Sequence, residues 1–183
     1  MEFVISEDGW ISGVRKVPSP NFNDRPEGEE PSLLVIHNIS LPPGQFGGNA
    51  VEKFFTNNLP ADQHPFFQTI AKLTVSAHFF IQRTGAIIQF VPIHKRAWHA
   101  GVSSFEGREN CNDYAIGIEL EGTDVEQYSR EQYEVLIALT RAIMGRYPGI
   151  SSGRIVGHSD IAPGRKTDPG ASFDWSYYRA QLA

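Results

Sequence analysis

One helix is marked at both ends in the sequence, and it limits what the rest of the chain can build. Ser129-Arg130-Glu131-Gln132 matches a capping box, in which the serine oxygen and the glutamine side chain satisfy free backbone donors. Tyr133, Leu136, Ile137, Thr140, Ile143 and Met144 follow at three- and four-residue steps on one face, and Pro148-Gly149 ends the run. A helix with one apolar face must lay it on another element, and short apolar runs elsewhere supply a sheet. Residues 32–36 read as a buried strand ending at His37-Asn38. Residues 75–81 and 87–91 read as a hairpin closed by Arg83-Thr84-Gly85-Ala86. Residues 115–121 alternate as a further strand, and 154–156 lead as another into Gly157-His158. Shorter helices are expected at 49–55, at 64–73, and from Asp174 with Trp175, Tyr178 and Leu182 inward. Residues 13–31, rich in Pro, Asn, Asp and Gly, read as irregular, and 41–48 as a loop. With no repeat or linker, the expectation is one α/β domain, residues 1–183, with a mixed central β-sheet flanked by helices.

Charge and cysteine usage narrow the setting. A net charge of −5 argues against nucleic acid or an anionic membrane surface as partner, both of which want a basic patch. The single cysteine, Cys111, forbids an intrachain disulfide. The first residues lack a basic segment followed by an apolar run, and no stretch approaches the ~18 apolar residues of a membrane span. A cytoplasmic location is expected. The oligomeric state is not legible, a monomer being the default.

Three positions carry metal-ligand chemistry. His37 sits where an apolar strand meets the Pro/Gly loop, His158 where a second strand ends, and Asp168 ten residues later in Gly164-Arg165-Lys166-Thr167-Asp168-Pro169-Gly170. Ligands at strand ends are held by the sheet yet face the rim. Zn2+ takes such side chains and, when catalytic, keeps one position for water. Taken singly, each has a plainer reading: a hydrogen-bonded rim histidine, or an aspartate forming a turn. No HExxH string joins two ligands on one helix, and no G-x-S-x-G string offers a nucleophile. His78, inside an apolar run, reads as a satisfied core histidine, and His64 and His94 as surface or loop residues.

The strings Leu33-Leu34-Val35-Ile36-His37-Asn38-Ile39-Ser40, Arg96-Ala97-Trp98-His99-Ala100-Gly101, Ile116-Gly117-Ile118-Glu119-Leu120-Glu121-Gly122-Thr123-Asp124, Gly157-His158-Ser159-Asp160-Ile161-Ala162-Pro163 and Arg165-Lys166-Thr167-Asp168-Pro169-Gly170 resemble, in order, the AmpD family. These are cytoplasmic 1,6-anhydro-N-acetylmuramyl-L-alanine amidases of bacterial wall recycling. The resemblance spans about Trp10 to Trp175. It implies a lysozyme-like amidase, peptidoglycan-recognition fold, a muropeptide as small-molecule substrate, and zinc held by His37, His158 and Asp168. It implies that Glu119 acts on the metal-bound water and that Lys166 faces the oxygen that becomes negative. The wider family often has Cys as third ligand, and Ser159 stands where relatives often carry Cys. Trp98 and His99 are expected to line the substrate site, or else to be a packed aromatic pair. Asn38 either binds substrate or holds its loop. Residue type alone leaves Glu119 open as a solvent-facing strand residue and Lys166 as a solvated loop cation. A binding-only module, which would lack a zinc ligand, and an exported amidase, which would carry a signal sequence, are the competing readings.

Overall fold

The computed structural model describes residues 2–183. Its strands are β1 (Arg15–Lys16), β2 (Phe22–Asn23), β3 (Leu33–Ile39), β4 (Phe79–Ile81), β5 (Ile87–Gln89), β6 (Arg96–Ala97), β7 (Ser104–Phe105), β8 (Arg108–Glu109), β9 (Ala115–Glu121) and β10 (Ile155–Gly157). Its α-helices are α1 (Ala50–Phe55), α2 (Pro65–Ile70), α3 (Arg130–Arg146), α4 (His158–Ile161) and α5 (Trp175–Ala180). Six strands make one mixed sheet in the order β1-β5-β4-β9-β3-β10, parallel throughout except for the β4–β5 hairpin.

The longest ladder joins β3 to β9 at the centre, from Leu33↔Ala115 to Ile39↔Glu121. Side chains alternate across it. Leu34, Ile36, Ile116, Ile118 and Leu120 face α3, where Leu136, Leu139 and Ile143 complete one core. Each such side chain, fully buried, contributes roughly 1.5–3 kcal/mol. Leu33, Val35 and Ala115 pack on the opposite side with Tyr114 and Val156. A second apolar cluster gathers Phe54, Phe55, Phe67, Phe80 and Phe90 beneath α1 and α2.

Helix α3 has the expected capping box: Ser129 Oγ accepts from the Gln132 amide at 3.1 Å, and Gln132 Oε1 from the Ser129 amide at 3.0 Å. The buried Gln132 also donates to the carbonyls of Ile81 (3.2 Å) and Glu121 (2.9 Å), clamping the helix start to the ends of β4 and β9. In α5, Asp174 caps the helix and Tyr178 is fully buried, its hydroxyl 2.7 Å from Thr140 Oγ1.

Several boundaries differ from expectation. The strand expected at 32–36 runs on to Ile39, because β9 offers hydrogen-bond partners as far as Glu121, so His37 lies inside the strand. The helix expected at 64–73 is only Pro65–Ile70: the His64 ring accepts from the Phe66 amide at 3.0 Å and closes its start. The segment 13–31 contributes β1 and β2 and is anchored by buried Arg25, which donates to the carbonyls of Ile93, His94, Asn112, Asp113 and Ala115 at 3.0–3.2 Å. All seven β9 residues are buried, since this strand has neighbours on both edges and layers on both faces.

Candidate metal centre and cleft

The β3–β9 register places His37 directly opposite Glu119. The two side chains therefore emerge on the same face although 82 positions separate them, and His37 Nδ1 lies 3.9 Å from Glu119 Oε1. Next to β3, β10 pairs Gly157 with Ile36, so His158 follows immediately as the first residue of α4, one step from His37. Both histidines thus sit toward the carboxyl ends of adjacent parallel strands, where ligand sites of open α/β sheets gather. Asp168 arrives on the loop after α4, which is held by the Ser159 amide donating to its carbonyl at 3.0 Å.

His37 Nδ1, His158 Nδ1 and Asp168 Oδ2 form a triangle with edges of 3.0, 3.2 and 3.3 Å. His158 Nε2 donates to the Ala100 carbonyl at 3.0 Å. A carbonyl only accepts, so a neutral His158 keeps the lone pair on Nδ1. His37 Nε2 lies 2.9 Å from His99 Nδ1, which can play the same part for His37. Burial lowers the His37 pKa to about 4, against the pull of Asp168, which keeps its ring neutral. Burial raises the Asp168 carboxyl, but the closeness of the two imidazoles outweighs it and holds the carboxylate below its usual range. Three lone pairs so close together repel unless a cation lies between them, and the three groups can hold a metal ion.

Glu119 is buried, and its Oε2 has no hydrogen-bond partner. Burial and then the Asp168 charge push its carboxyl well above the usual range, while the Lys166 charge pulls the other way. The reading of Glu119 as a solvent-facing residue is overturned: its strand is central.

Around these groups opens a cleft of about 800 Å³, lined by His158, Asp168, Glu119, Lys166, Asn38, Trp98 and His99. Every site residue expected from the sequence except His37 thus borders one space. Phe66, Ile70, Leu73 and Val75 form an apolar wall; Thr123, Asp124 and Thr167 form a polar one. The Trp98 indole donates to Asn23 Oδ1 at 2.9 Å. The Asn38 amide nitrogen is used internally, on Asp124 Oδ1 (2.8 Å), Tyr128 (3.0 Å) and the Pro169 carbonyl (3.2 Å), so this side chain does hold the loop. His78 is the satisfied core histidine expected, accepting from the Gly117 amide (3.1 Å) and facing the Lys95 carbonyl (2.9 Å).

Three contributors had no sequence signal of their own. Asn112 Oδ1 accepts from the amides of His99 and Ala100 at 3.1 and 2.8 Å, fixing the segment after β6 that contacts His37 and His158. Arg165 donates to the carbonyls of Ala100 and Val102 at 2.6 and 2.7 Å. Gly117 leaves room for His99, whose Cγ would lie 2.5 Å from any Cβ there.

Comparison with known proteins identifies the family. The N-acetylmuramoyl-L-alanine amidase family profile matches residues 27–171. The 1,6-anhydro-N-acetylmuramyl-L-alanine amidase AmpD of Escherichia coli (strain K12) is 56% identical over 180 residues, 98% of this chain and 98% of its own. A crystal structure of a selenomethionine AmpD derivative shares the fold with a TM-score of 0.95 at 54% identity, covering 98% of this chain and 100% of that one. AmpDh3 of Pseudomonas aeruginosa, in complex with anhydromuramic pentapeptide, has a TM-score of 0.64 at 30% identity, covering 85% of this chain and 61% of its own. The chain belongs to the N-acetylmuramoyl-L-alanine amidase family and, within it, to the AmpD group of 1,6-anhydro-N-acetylmuramyl-L-alanine amidases.

Proposed function

We propose that residues 1–183 form one zinc-dependent amidase domain that hydrolyses the amide between the lactyl group of 1,6-anhydro-N-acetylmuramic acid and the L-alanine of a stem peptide, in the cytoplasm, during cell-wall recycling. The observation that carries this reading is the donor triangle beside a buried carboxyl, inside one cleft, in a chain of this family. Donors about 2.0–2.1 Å from a tetrahedral zinc stand about 3.3–3.4 Å apart, close to the observed edges. Two neutral imidazoles and one carboxylate are an ordinary zinc set, and bound zinc supplies a Lewis acid that lowers the pKa of its water to about 7.

The protein's own groups do the rest. Glu119, which lines the cleft and keeps one buried oxygen without a partner, takes a proton from the attacking water and delivers it to the departing amine. A carbon–oxygen bond forms as the carbon–nitrogen bond breaks, giving the lactyl carboxylate and the free amino group of alanine. Lys166 meets the amide oxygen as it becomes negative, an interaction worth most in the transition state. Trp98, His99 and Asn38 border the substrate; His99 also orients His37. A homologue holding an anhydromuramic pentapeptide supports a muropeptide as the ligand. Among the described residues no helix is long and apolar enough to cross a membrane.

Mass spectrometry of products from a purified anhydro-muropeptide, with and without a chelator, tests the proposal. Expected are the free anhydro-sugar acid and the free peptide, lost on chelation and restored by zinc. Intact sacculi should be cut much more slowly. Cleavage elsewhere, or full activity after complete metal removal, would overturn it.

A further inference from the structure

We propose that Asp124 is a positioning residue for Lys166, tying the loop that carries Lys166 and Asp168 to the strand that carries His37. This rests on the role proposed above for Lys166. Asp124 stands just past the end of β9 and reaches two elements at once. Its Oδ1 accepts from Asn38 Nδ2 at 2.8 Å, next to His37. Its Oδ2 accepts from the hydroxyl of Thr167, which lies between Lys166 and Asp168. Its main-chain carbonyl accepts from the Ser172 amide at 3.1 Å. Gly170, at φ +80°, rests against it so closely that a Cβ would fall 2.2 Å from Asp124 Cα. Among the described residues Asp124 has no ion-pair partner, so both carboxylate oxygens serve neutral donors.

The loop is anchored unevenly. Its Asp168 end is fixed by the Ser159 amide and by the Pro169 carbonyl, which accepts from Tyr128 Oη at 2.7 Å and from Asn38. Its Lys166 end is exposed, and the Arg165 and Lys166 amides donate only to the nearby Ala162 carbonyl. Arg165 reaches to the far side of the cleft. Two side-chain ties therefore hold this end, Arg165 to the Ala100 and Val102 carbonyls and Thr167 to Asp124, and only the second reaches the end of β9 and, through Asn38, the strand of His37. A lysine places a point charge on a flexible stem, so its ammonium is only as well aimed as its backbone.

The prediction separates aiming from folding. Asp124→Ala should lower turnover about 10- to 100-fold, the scale of a misplaced catalytic group, with KM little changed. Thr167→Val, isosteric and at an exposed position, should reproduce most of that loss. Asp124→Asn should retain most activity, because the threonine hydroxyl can accept from the amide where it donated to the carboxylate. In a Lys166→Ala background neither Asp124→Ala nor Thr167→Val should cost more, since groups acting as a unit are not additive. Zinc content should stay at the parental level, and amide exchange across residues 163–168 should quicken in both variants. Equal losses in the Lys166→Ala background, loss of activity in step with zinc, or full turnover in Asp124→Ala would overturn the inference. If Lys166→Ala alone turns over normally, the reading of Lys166 falls and this inference with it. If Lys166→Ala is impaired while Asp124→Ala and Thr167→Val are not, this inference alone fails.

Discussion

At Glu119 a single atom separates proton transfer from metal binding. Its Oε2 is buried without a partner, and burial favours the protonated form. Glutamine keeps the shape and loses the basicity. Glu119→Gln is expected to keep fold and zinc content while turnover falls about 100- to 10,000-fold, the range for a positioned acid–base group. Zinc lost with the carboxylate would make Glu119 a ligand, and an unchanged rate would make it a bystander. Gly117, two residues earlier on the same face, acts through space alone. A methyl there would press on His99 at 2.5 Å and push it from His37. Gly117→Ala is expected to cost roughly 1–3 kcal/mol through overpacking. It should also weaken zinc retention in competition with a chromophoric chelator; retention equal to the parent would show that His99 does not steady His37.

At the scale of elements, α3 is joined to the sheet through its first turn. The Ser129 cap and the reach of Gln132 to the Ile81 and Glu121 carbonyls link helix start, β4 and β9. Glu121 in turn accepts from the Gly47 and Arg83 amides at 2.6 and 2.9 Å, bringing the Pro/Gly loop to the same corner. Ser129→Ala is expected to lower unfolding free energy by about 1 kcal/mol, the usual cost of a lost cap, with turnover unchanged. Urea denaturation and a rate assay on one preparation check both halves.

The whole molecule encloses histidines that the fold keeps neutral, and this sets its response to acid. Burial and the Arg25 charge lower the pKa of His78 to about 3, from an ordinary 6.5. Above pH 6.5 neither folded nor unfolded chain protonates it, and it contributes nothing to pH dependence. Below that, the unfolded chain takes up a proton that the fold refuses until about pH 3. Stability therefore falls as pH drops through this window, by up to about 1.4 kcal/mol per pH unit from this group. Urea midpoints of metal-free protein should decline from pH 6.5 downward, and His78→Gln, less stable overall, should decline less steeply. Parallel pH profiles for the two proteins would rule His78 out as a source of acid lability.

The sequence by itself determined those features whose causes lie within a few residues along the chain. The Ser129–Gln132 box, the three- and four-residue repeat behind it and the strand at 115–121 depend on neighbours in sequence and are present; the hairpin around Gly85 is present too, with strands shorter than the expected 75–81 and 87–91, Phe79–Ile81 and Ile87–Gln89. The ordered strings around His37, Glu119, His158 and Lys166-Thr167-Asp168 were enough to indicate the family. Tertiary structure decided what depends on register and on contacts between distant segments. Alternation leaves open whether Glu119 faces water; pairing with β3 on one edge and β4 on the other buries it beside His37. An apolar run does not say where its strand stops; the β9 ladder carries β3 through His37 to Ile39. Asn112, Gly117 and Asp124 are unremarkable as residue types. They matter through hydrogen bonds or close packing with groups 12 to 86 positions away, at distances that only the assembled sheet and loops bring within reach.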